Sequence, residues 1–166
     1  MPSRKPSRHG WNSWKGYLAA HRSKLAQYED HFLVEDGLEY SLTWQWVTWE
    51  GVLRFRDGHE IQVTRRQKVE RRRGEPWVRT VEYVYHALRR DESSVRNLFR
   101  YDNIHVHPGH ETPHHRHAYD AAGQEVQPPE HVGEAGWPTL GEVIDELHDL
   151  WQRERWQVSS PHPPPR

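Results

Sequence analysis

Hydrophobic and polar positions change period several times along the chain. From Trp14 to Tyr28 the apolar residues Trp14, Tyr17, Leu18, Leu25 and Tyr28 recur at spacings of three, four and seven. That predicts an amphipathic helix capped by Asn12 or Ser13. From Leu38 to Trp46 the period drops to two, with Leu38, Tyr40, Leu42, Trp44 and Trp46 on one face and Glu39, Ser41, Thr43 and Gln45 on the other. This is the pattern of a half-buried strand. Val52–Phe55 and Ile61–Val63 flank Asp57-Gly58, a hairpin signal. Pairing Leu53 with Val63 and Phe55 with Ile61 keeps both apolar faces aligned and demands an odd-numbered loop or a bulge. Six basic residues fill Thr64–Arg73, and Gly74-Glu75-Pro76 reads as a turn. Trp77–His86 is a further strand, with Trp77, Val81, Tyr83 and Tyr85 on one face, and Val95–Tyr101 is another.

Asn103–Pro138 keeps no period and is rich in Pro, Gly and His, so it is read as a long loop. Thr139 and Glu142 then form a capping box. Leu140, Val143, Ile144, Leu147, Leu150 and Trp151 make the apolar stripe of a helix over about 140–157. The expectation is one α+β domain: an antiparallel meander of about five strands with an N-terminal and a C-terminal helix. Residues 1–12 are expected to be a disordered basic arm, 13–157 the domain with its His-rich loop 103–138, and 158–166 a disordered Pro-rich tail.

Composition narrows the function classes. The 166 residues suit one domain, and no apolar run is long enough to span a bilayer. Met1–Gly10 lacks the apolar stretch of a secretory signal, so a cytoplasmic location is expected. With no Cys, disulfides, thiolate zinc sites and a Cys nucleophile are excluded. Nine Trp compensate for scarce aliphatic residues in building a core.

The net charge of −1 hides an asymmetry. Residues 54–100 carry 13 basic and 7 acidic side chains, whereas 101–166 carry 4 and 11. The basic middle, with Arg65, Arg66, Arg71, Arg72 and Arg73, is a candidate nucleic-acid surface; otherwise it is a solvated sheet face or the partner of the acidic third.

Six of the 14 His fall within residues 105–117. Three chemistries compete for them. Paired imidazoles can act as acid and base at neutral pH, as RNA cleavage requires, with Arg100 and Arg116 binding phosphate. Alternatively, the His-x-His pairs His105/His107 and His115/His117 could hold a divalent metal such as zinc, with Asp102 nearby. Or the imidazoles only face solvent and cap a loop. His86, at the end of a strand, could point toward the cluster or be a bonded sheet residue. Trp44, Trp46 and Trp49 could stack bases, although Trp44 and Trp46 sit on the apolar face. No phosphate-binding Gly-rich loop or Gly-x-Ser-x-Gly elbow is present.

Phe99-Arg100-Tyr101-Asp102-Asn103, His105 to Pro108 and Pro113-His114-His115-Arg116-His117 resemble the TumE-type toxin family of prokaryotic toxin–antitoxin modules. Tyr83-x-Tyr85-His86 and Pro138-Thr139-Leu140 fit the same pattern. The resemblance covers about Leu38 to Leu150 and is specific over 77–120. Two departures stand out: Val106 separates His105 from His107, and Thr112 precedes the Pro-His-His run where a Phe is usual. The resemblance implies a small cytoplasmic toxin with a cognate helix-turn-helix antitoxin. By analogy with other compact toxins, the favoured activity is ribonuclease without a cofactor. His86, Arg100, Asp102, His107, His114, His115 and His117 would be catalytic, and Arg116 with the basic middle would bind RNA. The alternatives are a growth-inhibiting toxin that only binds its target, a metal-dependent nuclease using His105, His107, His115 and His117, and a pH- or metal-responsive binding module.

Overall fold

In the computed structural model, residues 8–106 and 108–159 are described. They form an α+β fold: a mostly antiparallel sheet with its helices on one face. The elements are β1 (Asn12–Ser13), α1 (Trp14–Ala26), β2 (Leu33–Leu42), β3 (Trp46–Phe55), β4 (His59–Arg72), β5 (Glu75–Arg90), β6 (Val95–Asp102), β7 (His115–Tyr119), β8 (Glu125–His131), α2 (Gly133–Gly136) and α3 (Leu140–Ser159). The strands from β2 to β8 lie in sequence order, and β1 adds to β5.

The sheet is therefore larger than the five-strand meander expected. One cause is the alternating run at Leu38–Trp46, which is two strands. Thr43 folds the chain back, its Oγ1 donating to the Trp46 carbonyl at 3.0 Å and accepting from the Trp46 amide at 3.1 Å. Trp44 stands at the tip, 72% exposed. The basic run Thr64–Arg73 continues β4 almost to its end. The expected long loop contains β7 and β8, joined by a turn in which Asp120 Oδ1 accepts from the amides of Ala122 and Gln124 at 2.9 Å each. Such side-chain-closed turns are what Asp favours. The prolines of β8 are tolerated because an edge strand can lack donors on its open side.

Register explains two further differences. Leu53 faces Ile61 rather than Val63, because the turn Arg56–Gly58 has three residues and centres on Asp57. The loop is odd-numbered, as expected, and a two-residue slip leaves each side chain on its face. Gly58, at φ 75°, is required there: a Cβ would meet the Arg90 carbonyl oxygen at 1.9 Å. In β5 the extra residue Val81 makes a bulge opposite Arg66/Gln67. Val78 therefore shares the inner face with Tyr83 and Tyr85, and Trp77 moves to the outer one.

The inner face carries the core. Phe32, Leu53, Ile61, Val63, Tyr83, Tyr85 and Phe99 pack against Leu140, Val143, Ile144, Leu147 and Trp151 of α3. A second cluster joins Trp14 of α1 to Val47, Trp49, Val69 and Val78. The capping box forms as expected: Glu142 Oε2 accepts from the Thr139 amide at 2.7 Å, and Thr139 Oγ1 from the Glu142 amide at 3.3 Å. α1 is capped by Ser13, whose Oγ accepts from the Gly16 amide at 3.1 Å.

The last part of the N-terminal arm belongs to the fold. Arg8 pairs with Glu142, His9 stacks on Trp137 at 3.9 Å, and Asn12 opens β1. The remainder of the arm and residues 160–166 lie outside the described residues. Among the described residues no helix is long and apolar enough to cross a membrane.

Candidate active site

The antiparallel register lays His86 of β5, Arg100 of β6 and His117 of β7 side by side in one row. Strand spacing puts the outer two Cα atoms about 10 Å apart. The next row holds Val84, Asp102 and His115. Alternation sends both rows to the face away from α3. Phe99, Tyr101 and Arg116 take the inner face.

Asp102 is the hinge of the two rows. It is 1% exposed, and its Oδ2 accepts from Arg100 Nε at 2.9 Å and lies 3.1 Å from His117 Nε2. Arg100 also brings Nη2 to 3.2 Å from that nitrogen. On its other side His117 Nδ1 bonds the Glu125 carboxylate at the start of β8. With one proton on Nδ1, His117 donates to Glu125 and accepts from Arg100. With two, it donates to both carboxylates. Asp102 Oδ1 is buried and has no hydrogen-bond partner among the described residues.

His86 has a different setting. Burial lowers its pKa below 6.5, and the charge of Arg100 lowers it further. At neutral pH it is a neutral imidazole, suited to accept a proton. Its Nε2 is buried without a partner among the described residues. Tyr119 stacks loosely over it, with centroids 6.1 Å apart, and burial raises that phenol's pKa.

A second imidazole group adjoins Asp102. The Pro113 carbonyl can only accept, so His115, at 2.8 Å, holds its proton on Nδ1. Its Nε2 then accepts from His110 Nδ1 at 2.5 Å. His131 stacks on His110 with centroids 4.7 Å apart and meets Thr112 Oγ1 at 2.9 Å.

Several expected site residues lie elsewhere. His114 points to the inner face, stacked on Trp137 at 4.5 Å, its Nδ1 accepting from the Tyr83 hydroxyl at 3.1 Å. Burial lowers its pKa and keeps Tyr83 protonated. Arg116 is also on the inner face, bonded to Glu146 at 2.6 Å and to the Tyr101 hydroxyl at 3.1 Å, so it braces α3 against the sheet. Arg65 is 3% exposed and lies over the Trp49 and Tyr17 rings, so it is part of the interior and not of an anion-binding surface. Arg71 rests on Trp44, Arg72 on Trp77 and Arg66 on Trp46, while Arg73 occupies the turn at φ 51°.

His105 is exposed, and His107 lies outside the described residues. Among the described residues no group of three or more His, Asp or Glu is placed to hold a metal ion. Asn103 serves the fold: its Nδ2 donates to the Val81 carbonyl at 2.8 Å and its Oδ1 accepts from the Tyr83 amide at 2.9 Å, filling the bulge of β5.

Sequence reasoning missed Glu125, His110, Tyr119 and His131. Glu125 had one available signal: the turn residues Asp120 and Gly123 mark a chain reversal that would carry it back toward His117. Compared with protein-family models, curated proteins and solved structures, the chain finds no match.

Proposed function

We propose that the His86–Arg100–His117 row is the active centre of an RNA-cleaving enzyme that works by acid–base catalysis without a metal ion. One observation carries the reading: two imidazoles in contrasting surroundings flank an arginine on a single register row. His86, neutral at pH 7, takes the proton from a ribose 2′-hydroxyl. The 2′ oxygen attacks phosphorus, and the bond to the 5′ oxygen breaks. His117 in its doubly protonated form delivers a proton to that leaving oxygen, and Arg100 faces the charge that builds on the non-bridging oxygens. The products are a 2′,3′-cyclic phosphate and a 5′-hydroxyl. Asp102 and Glu125 fix the ring of His117, as a carboxylate orients a catalytic histidine elsewhere. The resemblance to TumE-type toxins supports placing this activity in a growth-inhibiting protein held in check by a helix-turn-helix antitoxin.

The test is incubation of the full chain with RNA in EDTA, with end-group analysis of the fragments. Cleavage with cyclic-phosphate ends, lost in His117→Ala, is expected. Intact RNA at protein excess overturns the reading, and cleavage appearing only on addition of zinc moves it to a metal site. A second reading is favoured by the depth of the row: His117 and Asp102 are 4% and 1% exposed. In that reading the charges only brace the sheet, and the protein inhibits growth by binding a target. Growth inhibition that survives in folded His117→Ala would select it.

A further inference from the structure

The outer face carries a second feature, at the opposite end of the sheet from the His row. There Trp46 of β3, Lys68 of β4 and Arg79 of β5 stand in one register row. Trp11, just before β1, lies with its ring 5.4 Å from the Arg79 guanidinium and 5.7 Å from that of Arg72. Arg66 covers Trp46 at 3.7 Å, and Arg72 covers Trp77 at 4.4 Å. Trp77 reaches this face only because of the bulge in β5. The result is an open sheet surface on which indoles and cations alternate.

Charge on this patch is incompletely balanced. Glu82 lies 3.7 Å from Arg66 and Glu70 3.1 Å from Arg72, but Lys68 and Arg79 have no carboxylate partner among the described residues. A sheet face that only needed solubility would not collect large indoles under guanidinium groups. Large apolar rings on an open face mark a binding surface more often than a solvated one.

We infer that this patch binds single-stranded RNA, with bases stacked on the indole and guanidinium planes and phosphates on Lys68 and Arg79. Unpaired bases offer flat faces of the right kind, whereas duplex bases are already stacked. The patch and His86 share β5, and with one of the seven intervening steps taken up by the Val81 bulge, strand rise puts Arg79 about 20 Å from His86. A bound strand leaving the platform along the outer face therefore leads to the catalytic row. The inference rests on the nuclease reading for its choice of RNA, but its test does not depend on cleavage.

The probe is a fluorescent 12-nucleotide 2′-O-methyl RNA, which lacks the attacking hydroxyl, measured by anisotropy in EDTA over a range of salt. The full chain is expected to bind it at least tenfold more tightly than a duplex of equal length. Lys68→Glu with Arg79→Glu, both at exposed positions, should abolish that binding. Lys68→Ala with Arg79→Ala should lower the salt slope by about 1.4, at 0.7 per phosphate contact on a single strand. Trp46→Ala should weaken binding at least fivefold with the slope unchanged. No binding at low salt, equal binding of duplex, or an unaltered Lys68→Glu/Arg79→Glu variant overturns the platform. Binding with these signatures but no cleavage of ordinary RNA keeps the platform and removes the nuclease reading.

Discussion

Replacing Asp102 by Asn removes a charge while keeping the shape of the side chain. The carboxylate is 1% exposed; its Oδ2 accepts a charge-assisted bond from Arg100 Nε at 2.9 Å and lies 3.1 Å from His117 Nε2, an ion pair when that ring carries both protons. Bonds to charged groups are worth roughly 1.5–3 kcal/mol each, against about 0.5–1.5 for neutral ones. The Arg100 bond alone loses about 1–1.5 kcal/mol, and with His117 doubly protonated the two losses come to about 2–3 kcal/mol. Two effects reduce the figure. The Arg100 side chain is 30% exposed, so water screens its half of the pairing. Asn also avoids the desolvation that a buried carboxylate suffers. The expected net loss is about 1–2 kcal/mol, or roughly 2–8 °C in Tm for a chain of this size.

Urea unfolding at pH 7.5 followed by tryptophan fluorescence measures that loss directly. RNA cleavage measured on the same sample should fall at least tenfold, because His117 loses the partner that orients Nε2. A variant as stable as the parent, or more stable, would show that desolvation outweighs pairing at Asp102. A variant of reduced stability and full activity would show that the carboxylate braces the sheet without serving the row.

Three other outcomes are expected. His114→Ala should keep RNA cleavage within twofold while lowering stability by about 1–3 kcal/mol, because it loses the Trp137 stack and leaves the Tyr83 hydroxyl unpaired; loss of activity in a folded variant would place His114 in the site after all. His86 is held below its ordinary pKa of 6.5 by burial, so the unfolded chain takes the proton first: its contribution to stability is complete above about 6.5 and declines as pH falls below that value. His86→Gln should therefore lose less stability than the parent between pH 7.5 and 5.5 in urea titrations, and equal losses would refute the assignment. Phe32→Ala should cost about 3–5 kcal/mol by calorimetry, since the ring is fully buried between Phe55 at 4.6 Å and Trp151 at 4.8 Å; a cost below 1 kcal/mol would mean that the junction of α1, β3 and α3 is looser than its packing implies.

What could be read from sequence was whatever local chemistry decides. The Thr139/Glu142 cap and the stripe of α3 are short-range features and stand where expected. The turn after Phe55 is odd-numbered, as parity demanded, but it pairs Leu53 with Ile61 and not with Val63. The errors came from chain reversals that parity cannot see. Thr43–Gln45 keeps the alternation of its flanks, so a hairpin looked like one strand. Val81 shifts the phase of β5 by one residue, which sends Trp77 outward although its spacing to Tyr83 suggested one face. The His cluster was found by density, but density carries no facing. His114 and Arg116 lie one residue from His115 and His117, and in a strand that single step is the difference between the packed face and the open one. Recognising β7 as a strand would have split the cluster correctly.

The charge asymmetry has the same two-sided logic. The acidic third meets basic side chains mainly on the inner face; on the outer one Asp102 holds Arg100. Glu146 of α3 takes Arg116, and Glu154 lies 3.0 Å from Arg96, 3.4 Å from Arg89 and 3.2 Å from His59. Glu142 and Asp145 hold Arg8 and Lys24. These pairs use up acid where α3 lies against the sheet. They cannot reach Arg66, Lys68, Arg72 or Arg79, which alternation has turned to the far side. A net charge near zero therefore does not describe either face. The packed side is neutralised by its own helix, and the open side keeps a positive patch at one end and an Arg–Asp–His row at the other. A polyanion would be repelled by the acidic outer flank of α3 and drawn to the open sheet, so the fold itself orients any nucleic acid toward the face that holds the imidazoles.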